Sequence, residues 1–349
     1  MMNNNLMKAV LATVCAVSAV LCTVSCERES VTNSDAGRST VSFVVGTSET
    51  RASVTPHERE VASLDVLVFR SGEGTLDNRA RAVAGGNLLD RISVELTQGV
   101  SLDWFVVANA PEGALSSYTT EAAFLQGLTM LEHSGESSLV MHAGGVLPSG
   151  PVADDVPVAL DRYACKVTVE SLTVDWPDAY AMATEVKLGR IVLVNVVGST
   201  PWSGVPAAGD VWFNRMGVDA SLPALVADMT VKDYGGLVLP SATAVEVASP
   251  LYCMPNPVNN GVTSKDEPSW SPRNTRVAVE VLLDGASEWY PIDLPSMQGN
   301  THYLIRSLTV TGPGSQGPDW PVERDDVRFS VSVVPWVDGE IVPVYQQAV

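Results

Sequence analysis

Val41-Ser42-Phe43-Val44-Val45-Gly46 is the first stretch of the chain with a clear period. Val41, Phe43 and Val45 alternate with Ser42, Val44 and Gly46. A two-residue repeat is what a β-strand with one buried face requires, because successive side chains leave a strand on opposite sides. Ordered structure is expected to begin here.

Working outward from that strand, the same signature recurs. Strands are expected near Ala62 to Arg70, Ile92 to Leu96, Leu102 to Ala108, Val156 to Leu160 and Lys166 to Val174. Turn chemistry separates them, as at Ser71-Gly72-Glu73-Gly74 and Gly85-Gly86-Asn87. One helical stretch stands out, about Thr119 to Leu131, where Thr119 or Thr120 is a candidate cap and Ala123, Leu125, Leu128 and Leu131 approximate one face. The C-terminal half continues in the same style, with strands expected near Glu185 to Val197, Ala244 to Val247, Arg276 to Leu283, Tyr290 to Leu294, Tyr303 to Thr311 and Asp326 to Val334. Long loops rich in Pro and Gly lie between them, including Thr200 to Ala208 and Pro255 to Pro272. The expectation is an all-β protein of two β-sandwiches, the first carrying a helical insert.

Upstream of Val41 the composition changes. Lys8 precedes an uncharged apolar run from Ala9 to Leu21 that ends in small residues before Cys26, so residues 1–25 read as a signal peptide. The run is shorter than the ~20 residues a membrane-spanning helix needs, and Glu27, Arg28 and Glu29 follow it. Residues 27 to 40 are polar and read as a flexible tether. Val24-Ser25-Cys26 resembles the lipobox of bacterial lipoproteins, with Thr23 standing where that family usually carries Leu. The resemblance implies acylation of Cys26 and a lipid anchor in the outer membrane; the alternative is simple secretory cleavage. Cys22 follows the bulky Leu21 and is a poorer candidate.

Cys15 and Cys22 would leave with the leader and Cys26 would be acylated, so the folded protein would retain only Cys165 and Cys253. Two thiols make no disulfide framework. They could form one bridge in an oxidising compartment or remain as two buried free thiols, and the sequence does not place their Cβ atoms.

With 21 basic and 40 acidic residues, a formal charge of −19 and a pI of about 4.5, the chain offers no basic footprint for phosphate, and nucleic acid is not expected as a partner. Hydrophobic residues make up 46% of the 349 residues, which argues against disorder and for about two globular domains. His57, His133, His142 and His302 are scattered without metal-ligand spacing. Gly312-Pro313-Gly314-Ser315-Gln316-Gly317 lacks the Lys-Ser/Thr ending of a phosphate loop and reads as a turn. Asp154-Asp155 and Asp325-Asp326 are adjacent pairs that would point to opposite faces of a strand, and solvated loop charge is the better account. No Gly-x-Ser-x-Gly elbow or Ser/His/Asp grouping emerges, so neither an enzyme nor a cofactor is expected.

At the C-terminal end the residues become distinctive: Trp289-Tyr290-Pro291-Ile292, Asn300-Thr301-His302-Tyr303, Leu308-Thr309-Val310-Thr311-Gly312-Pro313-Gly314-Ser315, Pro321-Val322 and Val334-Pro335-Trp336. In that order they resemble the closing block of the FimA-type fimbrillins of type V pili. Asp161-Arg162-Tyr163-Ala164-Cys165-Lys166-Val167 resembles the segment that opens the second domain of that family, and Ser63 to Phe69 its first mature strand. The resemblance implies two transthyretin-like β-sandwiches, at 52–161 and 162–336.

It further implies a lipoprotein precursor cut by an arginine-specific protease, a partner that removes the N-terminal strand. Thr50-Arg51-Ala52 is the matching position, between the Val41 to Gly46 strand and Ser63, which makes 26–51 the lipidated propeptide; Arg38 and Arg59 are the rivals. Loss of Val41, Phe43 and Val45 would open an apolar slot bordered by unpaired backbone, a template for strand addition. The tail 337–349 is the candidate donor arm: Val337, Ile341, Pro343, Tyr345 and Val349 share one parity, and Pro343, lacking an N–H, is tolerable on an edge strand. The plainer alternative is that the tail completes the chain's own sheet. Other copies of the chain and accessory pilus subunits are the expected partners, in a fimbria that supports adhesion. Two competing readings stand beside this one: a minor tip or anchor subunit, and a surface glycan-binding lipoprotein using Trp202, Trp212 and Trp270.

Overall fold

Strand β1 (Arg38–Val45) is the middle strand of a three-stranded sheet, antiparallel to β4 (Arg91–Thr97) and parallel to β8 (Asp155–Val158). It opens the part of the chain that the computed structural model describes, residues 37–336 and 344–347 apart from 47–55, 152, 208, 210, 217, 219–226, 248–249, 268 and 324. The leader, Cys26, Arg51 and Ala52 therefore lie outside the described residues, as do Val337, Ile341 and Val349 of the tail.

Facing this sheet is a five-stranded one, ordered β3 (Leu76–Val83), β2 (Ser63–Arg70), β5 (Leu102–Ala108), β7 (Met141–Leu147) and β9 (Asp161–Arg162). One apolar core fills the space between them. Val41, Phe43 and Val45 of β1 and Ile92, Val94 and Leu96 of β4 meet Leu64, Val66, Val68, Leu102, Trp104 and Val106 of the larger sheet. The alternation read in the sequence is thus the inward face of each strand.

The larger sheet is covered on its other face too. Leu67 and Phe69 of β2 point away from β1 and join a second core, where Phe124 of helix α1 (Glu121–Gln126) packs on Phe105 with ring centroids 4.8 Å apart and on Phe69 at 6.2 Å. The helix is shorter than the 119–131 expected. Thr120 caps it, accepting from the Ala123 amide, but it stops at Gly127, where a Cβ would lie 2.0 Å from Tyr118 Oη and 2.9 Å from the Trp202 ring. Leu128–Met130 then forms strand β6, pairing with β14 (Ser199–Pro201) from the C-terminal half. A long-range backbone pairing thus takes over where the helical pattern alone would have continued.

The C-terminal half forms a second pair of sheets. In one, β10 (Cys165–Val169) and β11 (Ser171–Val174) both run parallel to β21 (Thr301–Val310). Strand β18 (Pro250–Cys253) flanks β10, β17 (Val245–Glu246) flanks β11, and β22 (Val327–Pro335) lies on the far side of β21. Beyond β22, β23 (Val344–Gln347) adds antiparallel, with Tyr345 opposite Ser332. The other sheet is ordered β16 (Val231–Val238), β12 (Val186–Val194), β19 (Arg276–Leu283) and β20 (Ala286–Asp293). Short helices α2 (Pro177–Met182) and α3 (Ala227–Thr230) and the pair β13 (Val196–Val197) and β15 (Trp212–Phe213) fill the connections.

Several of these strands are missing from the sequence-based expectation for physical reasons. In β3 the residues alternate between Arg79 and Arg81 on one side and the small Ala80 and Ala82 on the other, as suits an edge strand but not a recognisable apolar run. In β7, Gly144 and Gly145 break the pattern because the rings of Phe105 and Trp104 occupy the space; a Cβ on Gly145 would sit 2.7 Å from the Trp104 ring.

Candidate functional site

Phe43 is wholly buried and its ring lies 5.1 Å from that of Trp104, while Val41 and Val45 on either side are also buried. Burying three such side chains is worth roughly 5–9 kcal/mol at ~1.5–3 kcal/mol each. The opposite face of β1 carries the half-buried Ser42 and Val44, and Ser42 meets Ser93 of β4, Oγ to Oγ, at 2.9 Å. Because β1 is paired on both edges, its withdrawal would leave β4 and β8 facing each other across a gap one strand wide, each with an unpaired row of backbone groups. A cavity of about 520 Å³ lies at the Ser39–Val41 end against Leu96, Leu102 and Pro151, and one of about 470 Å³ lies at the Val45–Gly46 end against Val61, Leu89, Met141 and Trp336.

Trp336 connects this cavity to the junction between the two sheet pairs. Its ring is completely buried, its indole Nε1 donates to Glu58 Oε2 at 3.3 Å, and its amide donates to the Asn300 carbonyl at 2.9 Å. Glu58 belongs to the one-turn 3-10 helix Pro56–Arg59, the first described element after 47–55. Its carboxylate is buried against side chains of the C-terminal half: Lys166 Nζ of β10 at 2.8 Å, the Tyr252 hydroxyl of β18 donating at 2.7 Å, and Trp336. Arg162 closes the group, with its guanidinium 4.7 Å from the Trp336 ring centroid, Nη1 donating to the Trp336 carbonyl at 2.9 Å and Nε to the Glu58 carbonyl at 3.3 Å. Burial and then the neighbouring Glu58 charge push the Tyr252 phenol far above its ordinary pKa, so it stays a donor. The chain just after residues 47–55 and the residue just before the tail are therefore gripped at one place. Nothing in the local pattern around Glu58 signals this, because its partners lie more than a hundred positions away.

The remaining sequence candidates resolve as packing. His133 Nδ1 accepts from the Met130 amide at 3.2 Å, His142 stacks on Tyr163 with centroids 4.1 Å apart, and His302 Nε2 meets Thr168 Oγ1 at 3.0 Å. Burial and then the charge of Lys166 lower the pKa of His302 to about 3, so it is neutral in the fold. Among the described residues no group of three His, Cys, Asp or Glu side chains is arranged to hold a metal ion. Trp202 is buried at the junction, stacked on Phe124 with centroids 6.4 Å apart. Trp212 and Trp270 pack edge to face at 5.2 Å, their indole N–H groups donating to Gly209 O at 2.7 Å and Asn195 Oδ1 at 3.3 Å. The glycine-rich stretch at 312–317 turns against β20, with Ser315 bridging Trp289 and a Cβ on Gly314 falling 2.8 Å from the Trp289 backbone nitrogen. Asp154, Asp155 and Asp325 are exposed. An ionic centre not anticipated from sequence joins Asp319 to Arg276 and to Arg273 Nη1 at 3.5 Å, all buried.

The family model of the major fimbrial subunit protein (FimA) matches residues 39–156. That match begins inside β1 and runs into β8, across the sheet pair in which β1 is central, up to but not including β9. By that region the chain resembles the FimA family of fimbrial subunits.

Solved structures of the fimbrillin type share its fold. A fimbrilin (FimA) of Porphyromonas gingivalis superposes with a TM-score of 0.58 at 16% identity, over 85% of this chain and 97% of that one. A proposed cell adhesion protein of Bacteroides eggerthii gives 0.60 at 16% identity, over 87% and 98%. Another, of Parabacteroides distasonis, gives 0.58 at 17%, over 88% and 98%. At such identities the likeness concerns the fold. No curated protein sequence matches the chain. The fimbrillin resemblance read from the C-terminal motifs thus meets a family match at the other end of the chain, and the FimA family is one of structural subunits, not of enzymes.

Proposed function

We propose that this chain is a structural building block of a type V pilus that supports adhesion. On this reading residues 1–25 are a signal peptide, Cys26 is acylated and holds the precursor at the outer membrane, and an arginine-specific protease cuts between Arg51 and Ala52. The mature chain then consists of two transthyretin-like sandwiches, 52–161 and 162–336, and a donor arm, 337–349, that fills the groove vacated by β1 in another copy or in an accessory subunit. The observation that carries the proposal is the placement of β1: it is central in its sheet, inserts Val41, Phe43 and Val45 into the core, and leaves toward residues 47–55. The grip of Trp336 supports it further, because a load on the arm would be passed directly to Lys166, Tyr252 and Glu58.

The pairing of β23 with β22 favours a second reading, an accessory subunit such as one at the tip, whose tail completes its own sheet and is not donated. N-terminal sequencing and intact mass of protein sheared from cells, beside an Arg51→Ala variant, test both. A mature chain that begins at Ala52 and runs as a detergent-resistant ladder, lost in the variant, supports the shaft subunit. Cleavage without a ladder favours the accessory role. A chain that still begins at an acylated Cys26 and stays monomeric removes the strand-exchange mechanism.

A further inference from the structure

Cys165 opens β10 and Cys253 closes β18, and the antiparallel register sets them directly opposite each other. Opposed residues of an antiparallel pair have Cα atoms about 4.5–5.5 Å apart and side chains on the same face. That spacing lies within the ~4.4–6.8 Å that disulfides span. Both thiols are completely buried in the core and sit under one segment: Cys165 Sγ donates to the Gln298 carbonyl at 3.0 Å, and Cys253 Sγ lies 3.7 Å from Met297 Sδ. Two cysteines used only as small apolar residues would have no need to share a register position.

We propose that Cys165 and Cys253 are a disulfide site, closed when the chain meets an oxidising thiol–disulfide carrier. One cysteine thiolate attacks a sulfur of the carrier's disulfide and releases one carrier thiolate, leaving a mixed disulfide on the chain. The second cysteine thiolate then attacks the chain-side sulfur and releases the other. The two cysteines are oxidised, the carrier disulfide is reduced to two thiols, and the two cysteine protons pass to the departing thiolates. Burial, and next the hydrogen bond to Cys253, raise the Cys165 thiol well above its ordinary pKa. Closure therefore belongs to folding or to local opening of β18, which among the described residues is at the edge of its sheet and pairs with β10.

The position of the bond gives it a purpose. The next cross-strand pair is Lys166 opposite Tyr252, the two side chains that hold the Glu58 carboxylate on the other face of the same strands. A bridge at 165–253 would lock that register and with it the socket of Trp336, at the root of the tail. In a fibre pulled through its arms, the bond would hold β18, an edge strand, to β10. Its presence on cells rests on the export proposed above; the ability of the pair to close does not.

The test is differential alkylation and intact mass of the full chain, isolated from the cell surface with alkylating agent present and, separately, refolded with oxidised glutathione. The expected product is lighter by two hydrogens than the reduced chain, takes no alkyl group at either cysteine before reduction, and yields a Cys165–Cys253 cross-linked peptide. Its urea midpoint should exceed that of the reduced chain and that of a Cys165→Ala/Cys253→Ala double variant. Refolding with oxidised glutathione that leaves both thiols alkylatable, or that stops at a mixed disulfide, would overturn the site. Closure in the tube combined with free thiols in the cell-derived chain would leave the site standing and count against export instead.

Discussion

Glu58 brings together side chains that lie far apart in the sequence. Replacing it with Ala strips the buried Lys166 of its carboxylate and leaves the Tyr252 hydroxyl and the Trp336 indole without their acceptor. Removing one partner of a buried ion pair typically costs about 3–5 kcal/mol. Glu58→Ala is expected to lose that order of stability in urea unfolding, and Glu58→Gln, which keeps an acceptor oxygen, to lose less. His302 makes a second prediction at this scale. Its pKa is lowered to about 3 in the fold, by burial first and Lys166 second, against about 6.5 in an unfolded chain. The neutral ring is favoured by the fold, so its contribution is complete above about pH 6.5 and is lost as pH falls from there toward 3. Urea midpoints measured from pH 7.5 downward should fall through this window, and a His302→Asn variant should show a shallower fall.

At the scale of the element, the proposed function makes β1 a part of the core that is removed on maturation, and this can be tested through Phe43. Phe43→Ala deletes the largest side chain that β1 contributes, at a cost of about 3–5 kcal/mol. The expected signature is selective: the uncut precursor should unfold at markedly lower denaturant, while the cleaved and assembled chain, from which β1 has gone, should be unchanged. An equal loss in both forms would mean that β1 stays in place in the mature protein. The insert around α1 is an element whose extent is set from outside. The helix ends where Gly127 turns extended, at a place where Tyr118 and Trp202 leave no room for a side chain, and β14 then takes up Leu128–Met130 as a strand partner.

For the whole molecule, the decisive feature is that the core of the C-terminal sheets continues into the N-terminal half through Phe69, Phe124, Tyr163 and Trp202. Shared apolar burial of this kind couples the two halves, so calorimetry of the intact chain is expected to give one unfolding transition. Trp202→Ala should cost about 3–5 kcal/mol and divide that transition into two.

The sequence by itself determined the all-β character, most strand positions and the inward parity of Val41, Phe43 and Val45, because a strand with one buried face writes a two-residue repeat into adjacent positions. The ordered motifs at the C-terminal end, from Trp289 to Trp336, were enough to suggest the fimbrillin family. Local pattern did not reveal β3, an edge strand whose inward positions are only Ala80 and Ala82, or β7, where Gly144 and Gly145 make room for the rings of Phe105 and Trp104. Nor could it reveal that Glu58, Lys166, Tyr252 and Trp336 meet, or that Cys165 stands opposite Cys253. Those facts were decided by strand register and by the approach of the two halves, which depend on the simultaneous packing of segments far apart in the chain and leave no trace in the periodicity of any one of them.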